Sequence, residues 1–167
     1  REDILESISE LEKLEKEISS SNLTKSNHSL ELAKWIKDIP IIYYPLGLQS
    51  VAIRFKNSLQ ENVKMHVFIE DGIEVCHNGI MSWERLSNVQ PILLQGQDDH
   101  IKTKERWEII EKLLQTNKIK YKKIISTNGS ILSKLISLIY VVDYSTIYKA
   151  VLDNIDPSPV KSIDFVK

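Results

Sequence analysis

Short apolar runs alternate with segments of helical periodicity through most of this 167-residue chain. The apolar runs are rich in branched and aromatic residues, as strands are, and they cover residues 40–44, 63–70, 88–95 and 120–126. The helical segments cover residues 29–38, 47–62, 103–117 and 130–154. Strands joined through helices run parallel, and a parallel sheet is covered on both faces. The alternation therefore predicts an α/β fold, a three-layer α/β/α sandwich with a mostly parallel sheet.

The two ends of the chain differ from this pattern. Isoleucine and leucine recur at three- and four-residue steps through residue 18, which predicts an amphipathic helix, and the hydroxyl-rich residues 19–27 interrupt it. Residues 1–27 are therefore interpreted as a helix and linker, with a face available to a surface outside the domain, and residues 28–167 as the main domain. Pro157 and Pro159 end the last long helix, which predicts an extended, ordered tail.

Charge and composition exclude several classes of partner. The formal net charge of −1 provides no broad basic surface, so neither nucleic acid nor an anionic membrane surface is expected as a partner. There is no run of eighteen apolar residues and no signal-peptide pattern at the start. A single cysteine cannot form an intrachain disulfide, which favours a reducing, cytoplasmic setting.

The stretch VCHNGIMSWE, residues 75–84, concentrates the rarer chemical groups of the chain. It allows three interpretations: a metal or thiol site, a packed core turn, or a loop that carries an acid/base histidine. The four histidines are scattered and nothing indicates a lowered thiol pKa for Cys76, so no metal is predicted and Cys76 is expected to be a small core residue. His77, followed by Asn78, can act as a general acid near neutral pH, or can be a hydrated surface histidine. Trp83 is expected to anchor the loop.

Two further positions are candidates for chemistry. Glu61 ends an amphipathic helix, where the helix dipole favours a cation over an acid. The dipole therefore does not account for an acid at this position, and the pattern alone makes Glu61 a weak candidate for a general base. The stretch STNGS, residues 126–130, joins a strand to a helix, where backbone N–H groups can hold an anion. A plain helix cap with a turn glycine is the favoured interpretation of STNGS. The chain has no Walker A and no G-x-G-x-x-G motif.

Two motifs in order carry a resemblance. SLQENVK, residues 58–64, followed by EVCHNGIMSWE, residues 74–84, resembles the C-terminal half of the bifunctional phosphoglucose/phosphomannose isomerases of the sugar isomerase (SIS) superfamily, which reads N-E-N-A-K and then E-x-x-H-N-x-I-x-x-W-E. The likeness continues through residues 39–62 and through the tail, where IDPSPV resembles a D-P-T-P-V element. It spans about residues 30 to 167 and implies an SIS, flavodoxin-like domain.

The resemblance implies a reaction and a set of residues. The reaction is interconversion of fructose 6-phosphate with glucose 6-phosphate or mannose 6-phosphate through a cis-enediol, without metal or other cofactor. Glu61 matches the catalytic base, and His77 matches a histidine that assists ring opening and comes from a partner subunit. Lys167 matches a lysine near the sugar oxygens, and Asn62, Asn78 and Ser158 are the matching candidates for substrate binding. The implied partners are a phosphosugar, an N-terminal SIS domain of the same or a partner chain, and a second copy in a homodimer.

Departures from the family pattern qualify this implication. The phosphate loop S-x-S-G-N-T and an enediol-supporting arginine belong to the N-terminal half of the family and are not among these residues, so the chain alone is expected to show little activity. Glu61 also precedes its strand, whereas open α/β sheets bind ligands at the carboxyl ends of strands, which places the expected site between domains. A non-catalytic sugar-phosphate-binding or regulatory SIS module is the alternative from another class. In a third interpretation, the first helix docks a separately encoded N-terminal half.

Overall fold

The computed structural model describes residues 1–166. Within these residues the helices are α1 (Glu2–Ile18), α2 (His28–Trp35), α3 (Gln49–Val63), α4 (Ile101–Thr116), α5 (Ile131–Leu152) and α6 (Lys161–Val166). The strands are β1 (Ile39–Tyr44), β2 (Phe68–Asp71), β3 (Val89–Gln95) and β4 (Lys122–Ile125). Two short 3₁₀ turns, Glu74–Cys76 and Gly79–Glu84, lie between β2 and β3.

The four strands described form one parallel sheet in the order β2-β1-β3-β4. The chain moves outward from β1 to β2, returns across β1 to β3, and ends at β4. Ile42 of β1 is paired with Ile69 on one side and with Ile92 on the other. The predicted three-layer sandwich with a mostly parallel sheet is confirmed.

Alternate residues of the two central strands supply two separate cores. Ile42 and Ile92 belong to the larger core, which also contains buried residues of α1, α2, α3 and α5. Tyr43 and Leu93 point to the opposite face and belong to a smaller core with α4 and the 3₁₀ turns. This alternation follows from the two-residue period of a strand and gives the sheet its two covered faces.

Helix α5 is the central support of the larger core. It packs against α1, α2 and α3, and its buried residues include Ser137, Ser145, Thr146 and Lys149. Asp143 accepts two hydrogen bonds from Arg54 at 3.0 and 2.8 Å and one from Ser58 at 2.9 Å, which ties α5 to α3. Although α5 is long and apolar enough to cross a membrane, in this fold it is a core helix.

Two of the boundaries that differ from the sequence predictions have a clear local cause. The strand expected over residues 63–70 begins only at Phe68, because α3 continues to Val63 and Lys64 then adopts a left-handed conformation with φ 57°. Helix α4 begins at Ile101 rather than Thr103, since the His100 side chain caps it by accepting from the Lys102 N–H at 3.2 Å.

The prediction of an extended tail is wrong for its last residues, which form α6. Two backbone N–H groups, those of Ile163 and Asp164, donate to the Val160 carbonyl at 2.8 and 3.1 Å. The prolines constrain only their own backbone and the residue before each, so nothing disfavours helix after Val160.

The linker between α1 and α2 is held by one buried amide, that of Asn27. Its side chain is fully buried, donates to the carbonyls of Ile18 at 3.0 Å and Asn22 at 2.8 Å, and accepts from the Leu30 N–H at 2.9 Å. It therefore closes the linker and caps α2 at once. The C-terminal half of α1 packs into the larger core, and the separation of residues 1–27 from residues 28–167 stays a prediction.

We expect Asn27→Ala to lower the free energy of unfolding by about 2 kcal/mol, because it removes a helix cap and the amide donor that the Ile18 and Asn22 carbonyls share. The measurement is urea denaturation followed by circular dichroism. Asn57→Ala, at an exposed position of α3, is the matched control and should change stability by less than about 0.5 kcal/mol. Equal effects of the two substitutions would contradict the role assigned to Asn27.

Candidate active site at the amino edge of the sheet

An open cavity of about 610 Å³ lies between the end of α3 and the chain that follows α5. Helix α3 returns against the direction of the parallel strands, so its C-terminal end lies at the amino edge of the sheet. The cavity is lined by Gln60, Glu61, Lys64, Met65, His66, Ile155, Asp156, Pro159, Val160, Lys161, Ser162 and Ile163. Glu61 is thus placed beside a space large enough for a small ligand.

Glu61 and Asn62 occupy the last turn of α3 and have different surroundings. The Glu61 side chain is exposed and lines the cavity. The Asn62 amide donates to the Thr146 hydroxyl of α5 at 2.8 Å. Asn62 therefore fixes the end of α3 to α5, which sets the direction in which Glu61 projects.

The tail approaches the same helix end as a tight turn. Asp156 accepts a hydrogen bond from the Ser158 N–H at 2.9 Å, and this bond, assisted by the nearby Lys64 charge, lowers the pKa of Asp156. Ser158 is exposed between two prolines whose carbonyls contact Lys64. The structure thus brings Ser158 to the same edge of the sheet as Glu61.

His77 and Asn78 lie at the other edge. Both are exposed between the two 3₁₀ turns that follow β2, whereas Glu61 precedes that strand. The four residues of β2 rise about 3.3 Å each, so the strand alone spans about 10 Å. Within one chain, Glu61 and His77 are therefore at opposite edges of the sheet and cannot contact one ligand carbon together.

The loop that carries His77 is pinned to its own domain by Trp83. This side chain is 4% exposed, and its indole N–H donates to the Tyr43 hydroxyl at 3.0 Å across the smaller core. The prediction that Trp83 anchors the loop is confirmed. Cys76 packs partly into the same core, and burial raises the pKa of its thiol, in agreement with a packing role.

The stretch STNGS is a helix cap, as the favoured interpretation predicted. The Ser130 hydroxyl accepts from the Ser133 N–H at 3.2 Å, and Gly129 adopts φ 116°. The Glu6 carboxylate of α1 accepts from the Ser130 N–H at 3.1 Å, so a side chain of the same chain occupies the position that an external anion would take. This bonding with Ser130 lowers the pKa of Glu6.

Lys64, His66 and Asp156 line the cavity, and sequence reasoning assigned none of them a role. Lys64 matches the lysine of the family pattern N-E-N-A-K, which reads Q-E-N-V-K here, and this match could have drawn attention to it. His66 and Asp156 carry no comparable signal. Among residues 1–166, no three histidine, cysteine or acidic side chains are grouped as a metal site requires. Lys167 lies outside the described residues.

The parallel sheet and its helices are those of a sugar isomerase (SIS) domain. A glucose-6-phosphate isomerase like protein from Thermus thermophilus matches all of this chain and 57% of its own, with a TM-score of 0.77 and 12% identity. The sugar isomerase domain of an RpiR transcription factor from Sphaerobacter thermophilus matches 92% of this chain and 90% of its own, with a TM-score of 0.64 and 11% identity. At these identities the likeness shows the fold.

The family within this class follows from sequence. A family model described as the bacterial phospho-glucose isomerase C-terminal SIS domain matches residues 25–167, and the chain belongs to this family. The bifunctional phosphoglucose/phosphomannose isomerase of Caldicellulosiruptor bescii is 34% identical over 143 residues, which are 83% of this chain and 42% of that protein. The enzyme of the same name from Aquifex aeolicus is 28% identical over 166 residues, or 94% and 52% of the two chains. The chain therefore spans about half the length of the curated relatives it matches.

The Tyr43–Trp83 hydrogen bond is expected to stabilise the His77 loop. In a double-mutant cycle of Tyr43→Phe and Trp83→Phe, each single change leaves a buried group without its partner, so the two effects on the free energy of unfolding should be non-additive by about 1 kcal/mol. Urea denaturation of the four proteins measures the coupling. The control cycle combines Tyr43→Phe with Ile125→Val, which lies at an exposed position of an edge strand. The effects of these two changes on the free energy of unfolding should be additive. Additivity in both cycles would contradict the Tyr43–Trp83 interaction.

Proposed function

We propose that this chain is the C-terminal domain of an aldose–ketose isomerase that interconverts glucose 6-phosphate or mannose 6-phosphate with fructose 6-phosphate. The observation that carries the proposal is the position of Glu61, on a helix end beside the cavity of about 610 Å³ that the tail completes. Family membership and the names of the relatives support the substrate class.

The proposed chemistry is proton transfer between two neighbouring carbons. The Glu61 carboxylate removes the proton from C2 of the aldose, which leaves a cis-enediol, and returns a proton to C1 to give the ketose. Hydroxyl protons move between the O1 and O2 atoms in the same steps, so the atoms balance and no redox partner is needed. His77 acts as the acid and base that opens the sugar ring. Ser158, Asn62, Asn78 and Lys167 stay candidates for contacts with the sugar.

The position of His77 bears on assembly. Because Glu61 and His77 lie at opposite edges of the sheet, a site that uses both needs His77 from a second copy, which supports a homodimer. The phosphate group would be held by an N-terminal SIS domain of the same or a partner chain. A cytoplasmic location is part of the proposal, and the single cysteine of the chain supports it.

Glu61→Gln is expected to reduce proton exchange at the sugar carbons by about 10²-fold or more, since the amide cannot accept the proton. The exchange is followed by NMR in D₂O with fructose 6-phosphate, at protein concentrations high enough to detect the low activity expected of this chain alone. Glu108→Gln, on the exposed face of α4, is the charge-matched control and should retain the native rate.

A mixture of two inactive variants tests the shared site. Glu61→Gln and His77→Ala are each expected to be inactive, but a mixed dimer retains one site with both native residues. Random reassociation should therefore restore about one quarter of the native rate. Mixed dimers that stay inactive would place both residues in one chain and contradict the shared site.

The regulatory alternative makes a different prediction for the same variants. A non-catalytic module would bind the phosphosugar saturably, would keep that binding in Glu61→Gln and His77→Ala, and would cause no hydrogen exchange at C2. Isothermal titration calorimetry measures the binding, and NMR measures the exchange. Binding without exchange in the native protein would overturn the isomerase proposal.

A further inference from the structure

Lys64 joins the two segments that form the cavity. Its ammonium group donates to the Glu61 carbonyl at 2.6 Å, to the Pro159 carbonyl at 2.8 Å and to the Pro157 carbonyl at 3.3 Å. The first acceptor belongs to the last turn of α3, and the other two belong to the turn that carries Ser158. These segments are more than ninety residues apart in the chain.

The backbone of Lys64 is what allows the side chain to reach back. Lys64 follows α3 directly and adopts the left-handed conformation, with φ 57° and ψ 30°. The last carbonyls of a helix have no N–H partner inside the helix, and the helix dipole favours a cation beside them. The lysine thus satisfies a helix-end carbonyl and uses its remaining donors on the tail.

The three acceptors account for every donor that the side chain has. An ammonium group carries three N–H donors and no acceptor. The rings of Pro157 and Pro159 fix the φ angle of each residue, which restricts the backbone conformations open to the turn. With its donors committed to backbone carbonyls, the ammonium group has none left for the oxygens of a bound sugar phosphate.

We infer that Lys64 is a positioning residue that holds the Ser158 turn against the helix end carrying Glu61. This inference rests on the proposed function for its catalytic consequence only. Without Lys64, the end of α3 stays attached to α5 through Asn62, while the Pro157 and Pro159 carbonyls lose their hydrogen bonds to the residue that follows α3. The cavity would then open on the side of the tail, and Glu61 would face a ligand that is less well oriented.

The test compares Lys64→Met, Lys64→Arg and Lys112→Met with the native chain by hydrogen–deuterium exchange. In Lys64→Met, amide exchange in residues 155–164 should be about tenfold faster, because the turn opens more often. Lys64→Arg, which keeps the charge and several donors, should stay within about threefold of native exchange. Lys112→Met, at an exposed position of α4 on the other face of the sheet, should leave that segment unchanged.

Two readouts separate this inference from the proposed function. Where the native protein shows proton transfer, Lys64→Met should lower kcat/KM about tenfold, and Lys64→Arg should recover it to within about threefold. Absence of proton transfer in the native protein would overturn the proposed function. The amide hydrogen exchange of residues 155–164 would still decide the role of Lys64. The inference would be overturned if residues 155–164 of Lys64→Met exchanged their amide hydrogens at the same rate as in the native chain. If that variant also lost sugar-phosphate binding, Lys64 would be a ligand contact instead of a positioning residue.

Discussion

The direction of the strands governs where each functional candidate lies. All strand pairs described are parallel, so each connecting helix must return antiparallel to the sheet. Helix C-terminal ends therefore gather at one edge, and the loops that follow strands gather at the other. This places Glu61 with the tail, and it places His77 away from both. The expectation of a site between domains or subunits thus has a simple geometric basis.

Helix α5 fixes the position of the α3 end that lines the cavity. It is bonded to α3 through Asp143 and again through Thr146, at two levels along the helix pair. The second contact lies next to Glu61, so the packing of the core continues into the wall of the cavity. The segment after α5 then turns back toward α3, where Lys64 donates hydrogen bonds to the Pro157 and Pro159 carbonyls. A rigid helix pair and a tethered turn are the kind of support that a proton-transferring carboxylate needs.

Two of the charged side chains beside the cavity, those of Lys64 and Asp156, have structural partners. Lys64 is committed to backbone carbonyls, and the ionised Asp156 holds the N–H of the Ser158 turn. At the far edge of the sheet, Glu6 fills the anion position at the start of α5. These features support the proposal that this domain supplies acid–base groups and that phosphate binding belongs to another part of the protein.

The sequence by itself determined the layered fold, because strand and helix periods report burial residue by residue. It also indicated Glu61, His77 and the anchoring Trp83 through local motifs. Only the tertiary structure decided which of these residues share an edge, since that depends on strand order and direction and on contacts between distant segments. The same reason explains the bonds of Lys64 to the tail: the carbonyls of Pro157 and Pro159 lie more than ninety positions away, and no local pattern records them.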